Sequence, residues 1–198
     1  MSEPIKIPEV IASRSSYKHK FSLIELYRTW VLLPYAIRKF VNNRKSQKVS
    51  SQFLERLQLA VTEVNACPAC SYAHTYMALK EGLSAEEINS FLVGDGKWVK
   101  PEEAKALMFA QHFAEQGGCP GKEALDALEA EYGQEKADIM ISAVQLMLAG
   151  NIIGLPYSAL KSRIKRKPYQ NSSILYEITM QLAAFLLIPP AFIHGLLR

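Results

Sequence analysis

Apolar residues recur along this chain at helical rather than strand spacing. Between Ser50 and Asn65, the residues Phe53, Leu54, Leu57, Ala60, Val61 and Val64 follow i, i+1, i+4, i+7, i+8, i+11 spacing, which predicts a helix with one buried stripe. Ser84-Ala85-Glu86-Glu87 reads as a capping box, with the serine oxygen and the glutamate three positions on satisfying amides at a helix start; that helix should run to about Val93. Pro101 with Glu102 and Glu103 makes a first turn, because proline lacks only an amide hydrogen that is unused there and carboxylates suit the positive helix end. Its helix must stop before Gly117-Gly118-Cys119-Pro120-Gly121. From Glu135 to Gly154 the chain is apolar on nearly all sides, with Ile139, Met140, Val144, Leu148 and Ile152, as expected of a central buried helix. Asn151 inside it needs a partner, since an unsatisfied buried amide costs roughly 1 to 3 kcal/mol, so it is expected to cap or pin a neighbouring segment. Sustained alternation and Asn-Gly or Asp-Gly hairpin turns between apolar runs are lacking, and the fold class predicted is all-α.

Two flanks stand apart from this middle. Residues 21 to 40 read as an apolar helix interrupted at Pro34, and residues 173 to 197 as another interrupted at Pro189-Pro190. The run from Leu182 to Leu197 is shorter than the roughly 20 residues that span a bilayer, and the double proline should split it. These ends are expected to cover the core or form a subunit interface, with attachment to a membrane surface as the lesser reading.

With 198 residues, 49% of them hydrophobic, the chain is expected to form a single domain. A formal charge of +4 is too weak to argue for a nucleic-acid partner. The positive charge gathers at Arg38, Lys39, Arg44, Lys45 and Lys48, and again at Lys161, Arg163, Lys165, Arg166 and Lys167. With Phe40 the one aromatic residue inside the first and none inside the second, both clusters read as solvated helix ends or loops. The opening Met1-Ser2-Glu3-Pro4 lacks the basic stretch and apolar core of a secretory leader, so a reducing cytoplasm is the expectation. In that compartment three cysteines are not a disulfide framework, and a close pair reads as catalytic or metal-binding.

That pair is Cys67 and Cys70, in Cys67-Pro68-Ala69-Cys70-Ser71-Tyr72-Ala73-His74. If Pro68 is the first helical residue, Cys67 is the N-cap and Cys70 lies in the first turn. A thiol there meets the partial positive charge of unsatisfied amides, which favours thiolate over thiol. His74, four residues after Cys70, shares its helix face and can take or return a proton. Three residues turn a helix by about 300°, so the two sulfurs lie on adjacent faces and can reach each other. One thiolate attacks an oxidant, and the other closes a disulfide before further oxidation to irreversible acids. The bland readings are a structural zinc, which needs four ligands and would have to recruit Cys119 and His112, and a pair of inert buried thiols. Cys119 reads as an incidental loop thiol.

The segment from Glu55 through Asn65, Cys67, Cys70 and His74, followed by Gly82-Leu83-Ser84-Ala85-Glu86-Glu87-Ile88, resembles the AhpD-like alkylhydroperoxidases of the carboxymuconolactone decarboxylase superfamily. The resemblance covers a core from about residue 49 to 158, with N- and C-terminal helical extensions outside it. It implies an all-α AhpD-like helical bundle that oligomerises, needs no cofactor or metal, and reduces hydroperoxides or disulfides with electrons from an external dithiol, lipoyl or thioredoxin-like. By position it makes Cys70 the peroxidatic thiol, Cys67 the resolving thiol, and Glu55 with His74 a proton relay. Periodicity alone puts Glu55 about 160° from the centre of its helix's apolar stripe and reads it as a solvated acid, leaving Glu63 as a rival. One departure is Ala69, where some members carry a histidine between the cysteines. Two other classes stay open: cofactor-free decarboxylation of a lactone acid, which would not need two cysteines, and a non-catalytic helical binding module recruiting a partner through its apolar ends.

Overall fold

A computed structural model describes residues 9–198, and the opening Met1–Pro4 lies outside the described residues. The described residues form no strand; they fold as an all-α helical bundle, the class expected from the sequence. In chain order the helices are α1 (Glu9–Ala12), α2 (Leu23–Val31), α3 (Leu33–Ser46), α4 (Ser51–Asn65), α5 (Pro68–Lys80) and α6 (Ala85–Val93). After a 3₁₀ turn at Pro101–Glu103 come α7 (Ala104–Glu115), α8 (Lys122–Tyr132), α9 (Gln134–Ile164) and α10 (Ile174–Leu196). Helix α9 is the axis of the bundle, packed against α2, α3, α4, α5, α7, α8 and α10. Leu148 and Ile152 are fully buried along it.

Local chemistry accounts for most boundaries. The Ser50 side chain accepts from Phe53 N and starts α4. Pro34 falls in the first turn of α3 and breaks the N-terminal helix where expected, with Leu32 between α2 and α3. A complete capping box opens α2, where Ser22 and Glu25 each satisfy the other's backbone amide. The predicted box at Ser84 is only half present. Ser84 accepts from Glu87 N at 3.1 Å, but the Glu87 carboxylate takes the Arg56 guanidinium at 2.6 Å instead. A buried charge-assisted bond outweighs a second contact to a cap amide. Arg56 also reaches Glu103 at 3.0 Å, so one guanidinium from α4 ties down α6 and the turn before α7. Burial pushes the Glu103 carboxyl above the usual range, with Arg56 opposing that shift.

Two expectations are corrected here. Asn151 is fully buried, yet it pins no other segment: its Nδ2 donates to Met147 O, one turn back in its own helix, at 2.7 Å, and its Oδ1 has no partner among the described residues. The double proline does not split the C-terminal helix either, because α10 runs unbroken for 23 residues through Pro189 and Pro190. Proline φ is compatible with a helix, and the carbonyls that lose an amide partner belong to Phe185 and Leu186. Both residues are exposed, so water can serve them. The argument that this stretch is too short for a bilayer therefore falls: α9 and α10 are each long and apolar enough to cross one. Helix α10 packs on α2, α3 and α9 and presents Leu182, Phe185 and Leu186 outward.

Candidate active site

The corner between α4 and α5 sets the cysteines. Ala66 closes α4 in the left-handed region at φ 54° and donates to Thr62 O at 2.6 Å, a backbone state that costs a non-glycine residue and persists where its surroundings enforce it. The chain then turns straight into α5. Cys67 is the N-cap and Pro68 opens the helix, as the sequence predicts. The Cys67 sulfur accepts from Cys70 N at 3.3 Å, and the Cys67 carbonyl accepts from the Ser71 hydroxyl at 2.9 Å.

Cys67 and Cys70 are paired as a disulfide, with Cα atoms 5.3 Å apart. Both belong to the core: Cys67 is 0% and Cys70 8% exposed. What access there is lies on the Cys70 side. Cys119, by contrast, is a free thiol on the exposed loop before α8.

Helix α9 runs directly over this disulfide. A Cβ placed on Gly154 would stand 2.7 Å from the Cys70 sulfur and 2.8 Å from the Cys67 sulfur, well inside van der Waals contact. Gly154 is a site residue that sequence reasoning missed. Its one signal was cost, since a glycine inside a helix gives up about 1 kcal/mol to alanine and needs a packing reason.

His74 sits one turn beyond Cys70 on α5, and its Nδ1 lies 3.1 Å from Glu55 Oε2. Periodicity put Glu55 in solvent, but the residue is only 7% exposed. Helix α4 is covered by α5, α6, α7 and α9, and three of its polar residues find partners inside: Glu55 takes His74, Arg56 takes Glu87 and Glu103, and Gln58 donates to Ala143 O. The rival acid faces elsewhere, with Glu63 paired to Lys18 at 3.7 Å. Against a carboxylate, which only accepts, His74 Nδ1 is the donor of this bond and Nε2 is left free of it. The arrangement thus holds two bonded sulfurs at the start of α5 and, one turn on, an imidazole held by a buried carboxylate. Asn65, two residues before Cys67, is buried with its Nδ2 unpartnered among the described residues.

No curated protein and no solved structure matches the chain. Residues 25–112 match the family model described as the carboxymuconolactone decarboxylase family. The matched segment opens in α2, closes in α7, and takes in Glu55, both cysteines of the pair and His74. Over that segment, less than half of its length, the chain is similar to the carboxymuconolactone decarboxylase family, the AhpD-like superfamily.

Proposed function

We propose that the protein is a thiol-dependent oxidoreductase that reduces hydroperoxides or disulfides through Cys67 and Cys70 and is returned to the dithiol state by an external lipoyl or thioredoxin-like donor. One observation carries the reading: the bonded cysteine pair opens α5, and one turn on stands an imidazole held by a buried carboxylate.

Cys70, the less buried of the two, attacks the distal peroxide oxygen as thiolate. The O–O bond breaks, Cys70 becomes a sulfenic acid, and the departing alkoxide takes the proton that His74 Nε2 accepted from the Cys70 thiol when the thiolate formed. Cys67 then attacks the Cys70 sulfur, water leaves, and the disulfide forms. Reduction reverses the sulfur chemistry: a donor thiolate attacks Cys70, and Cys67 departs as a thiolate that the Cys70 amide and the positive end of α5 stabilise. Glu55 fixes the ring orientation and tautomer of His74.

Reduced Cys119→Ser protein mixed with an organic hydroperoxide should lose two free thiols per chain; an undiminished thiol count refutes the reading. Cys70→Ser should abolish turnover, and Cys67→Ser should leave Cys70 open to overoxidation, seen as a mass gain of oxygen atoms. Lactone-acid decarboxylation that survives loss of both cysteines would favour the family's name-giving chemistry instead. The same proposal sets the protein in a reducing cytoplasm as a homo-oligomer that covers the outward face of α10, which sedimentation tests.

A further inference from the structure

The first turn of α5 also borders a cleft of about 580 Å³. Pro68 and Ala69 form the wall next to the cysteines. Lys161 and Lys165 enter from the end of α9, Lys167 from the segment after it, and Arg14 from the segment after α1. No carboxylate lines the cleft. Among the described residues none of these four cations lies within ion-pair distance of an acid, whereas neighbouring Arg163 is held by Glu177 and Lys18 by Glu63. Arg14 is half-buried, and its Nη1 is sealed from solvent without an acceptor among the described residues. Burial lowers its guanidinium below the ordinary arginine value, with Glu63 and Tyr169 opposing that shift.

A helix C-terminus by itself favours cations at positions such as 161 and 165. It does not explain four positive groups from three segments facing one hollow with no counter-charge. Like charges around a concavity repel one another and focus a positive potential into it, to which the N-terminal end of α5 adds. The rings of Tyr72, Tyr157 and Tyr169 supply the remaining wall, so the cleft offers charge to an anion and flat apolar surface to whatever carries it.

We infer that this cleft binds the carboxylate of an organic oxidant with an aromatic or apolar body and so presents its S–S or O–O bond to Cys70, an inference that rests on the thiol chemistry proposed above. With a disulfide, Cys70 thiolate attacks one sulfur and expels the first thiolate; Cys67 then attacks Cys70 and expels the second. Two thiols of the protein are oxidised to one disulfide, and the substrate is reduced to two thiols.

The test uses the reduced full chain carrying Cys119→Ser and two aromatic disulfides, the anionic dithiobis-nitrobenzoate and the neutral dithiodipyridine. Lys161→Gln with Lys165→Gln should slow oxidation by the anionic reagent about tenfold, the size expected of two partly exposed ion pairs. The neutral reagent should be unaffected, and added salt should erase the difference. Equal slowing of both reagents, or of neither, overturns the cleft. Nitrobenzoate titrated calorimetrically into the oxidised protein should bind, and binding should be lost in the double variant. Wild-type protein that takes up no nitrobenzoate overturns the cleft while leaving the thiol chemistry intact. If neither disulfide oxidises the pair, the thiol chemistry itself fails, and the role given to the cleft fails with it.

Discussion

Helices α9 and α10 are both long and apolar and both contain proline, yet 72% of the most apolar window of α9 is buried against 22% for α10. Hydropathy measures how strongly a helix is driven from water; the number of neighbours decides how far it gets. Helix α9 meets seven other helices, while α10 packs on α2, α3 and α9. The polar groups of each follow suit. Within α9, Gln145 donates to Thr29 O and Ser142 to Asp138 O. On α10, one acid faces inward: Glu177 is fully buried and takes Arg163 of α9 through both oxygens at 2.8 Å.

The contrast can be broken most forcefully in α9. Leu148→Ala should cost about 2 to 5 kcal/mol, the range for a leucine truncated in a core that cannot collapse; a loss of unfolding free energy in urea of less than a quarter of that would remove α9 from the centre of the fold. Next comes the bond between the two helices. Glu177→Gln should lose about 1 to 3 kcal/mol at neutral pH, because a buried guanidinium contact is left half-made. Arg163 holds the Glu177 carboxyl below its usual range. Its contribution is therefore present above the ordinary carboxyl value of 4.5 and disappears as pH falls through the lower folded value. Chemical denaturation across that acid window should be shallower in the glutamine variant, and parallel curves would refute the assignment.

An effect of similar size should come from Gly195, where a Cβ would meet Val31 O at 2.0 Å and Pro34 at 3.0 Å. A backbone oxygen yields less readily than a side-chain tip, so Gly195→Ala should cost about 1 to 3 kcal/mol and speed amide exchange in the last turns of α10 while leaving α9 protected. The smallest change in stability belongs to the outer face of α10. Phe185→Ser, at a side chain 80% exposed, should stay within about 0.5 kcal/mol in the unfolding of the isolated chain. Its effect should appear in sedimentation, and a large loss of monomer stability would mean that this face is already packed.

What the sequence made readable was local. Stripe spacing, serine caps and prolines at first turns are settled within a few residues of where they act, so α4, α6 and the Cys67 cap could be placed from the chain alone. Glu55 could not be placed that way. A stripe says which side is apolar, but the acid's partner stands on the next helix, and α4 is enclosed by elements that lie far along the chain. Glu87 illustrates the same limit, since the cap geometry was right while a guanidinium thirty-one positions away claimed the carboxylate. The basic run after α9 had no aromatics interleaved in sequence, yet Tyr72 of α5 and Tyr157 of α9 stand beside it in space. The double proline misled because helix continuity depends on where the orphaned carbonyls point, and that is a property of the assembled surface.

One consequence follows from the Cys67 sulfur serving as the acceptor for the first turn of α5. Helices α2, α4, α6 and α10 begin on serine oxygens, whose chemistry never changes. Under the proposed thiol chemistry the atom that anchors the coil is also the one that gains and loses a covalent neighbour, so each round of oxidation and reduction would rewrite the fastening of that end. The opening of α5 should loosen and tighten with redox state, coupling the local rigidity of the helix to whether the protein is ready to accept electrons or to give them up.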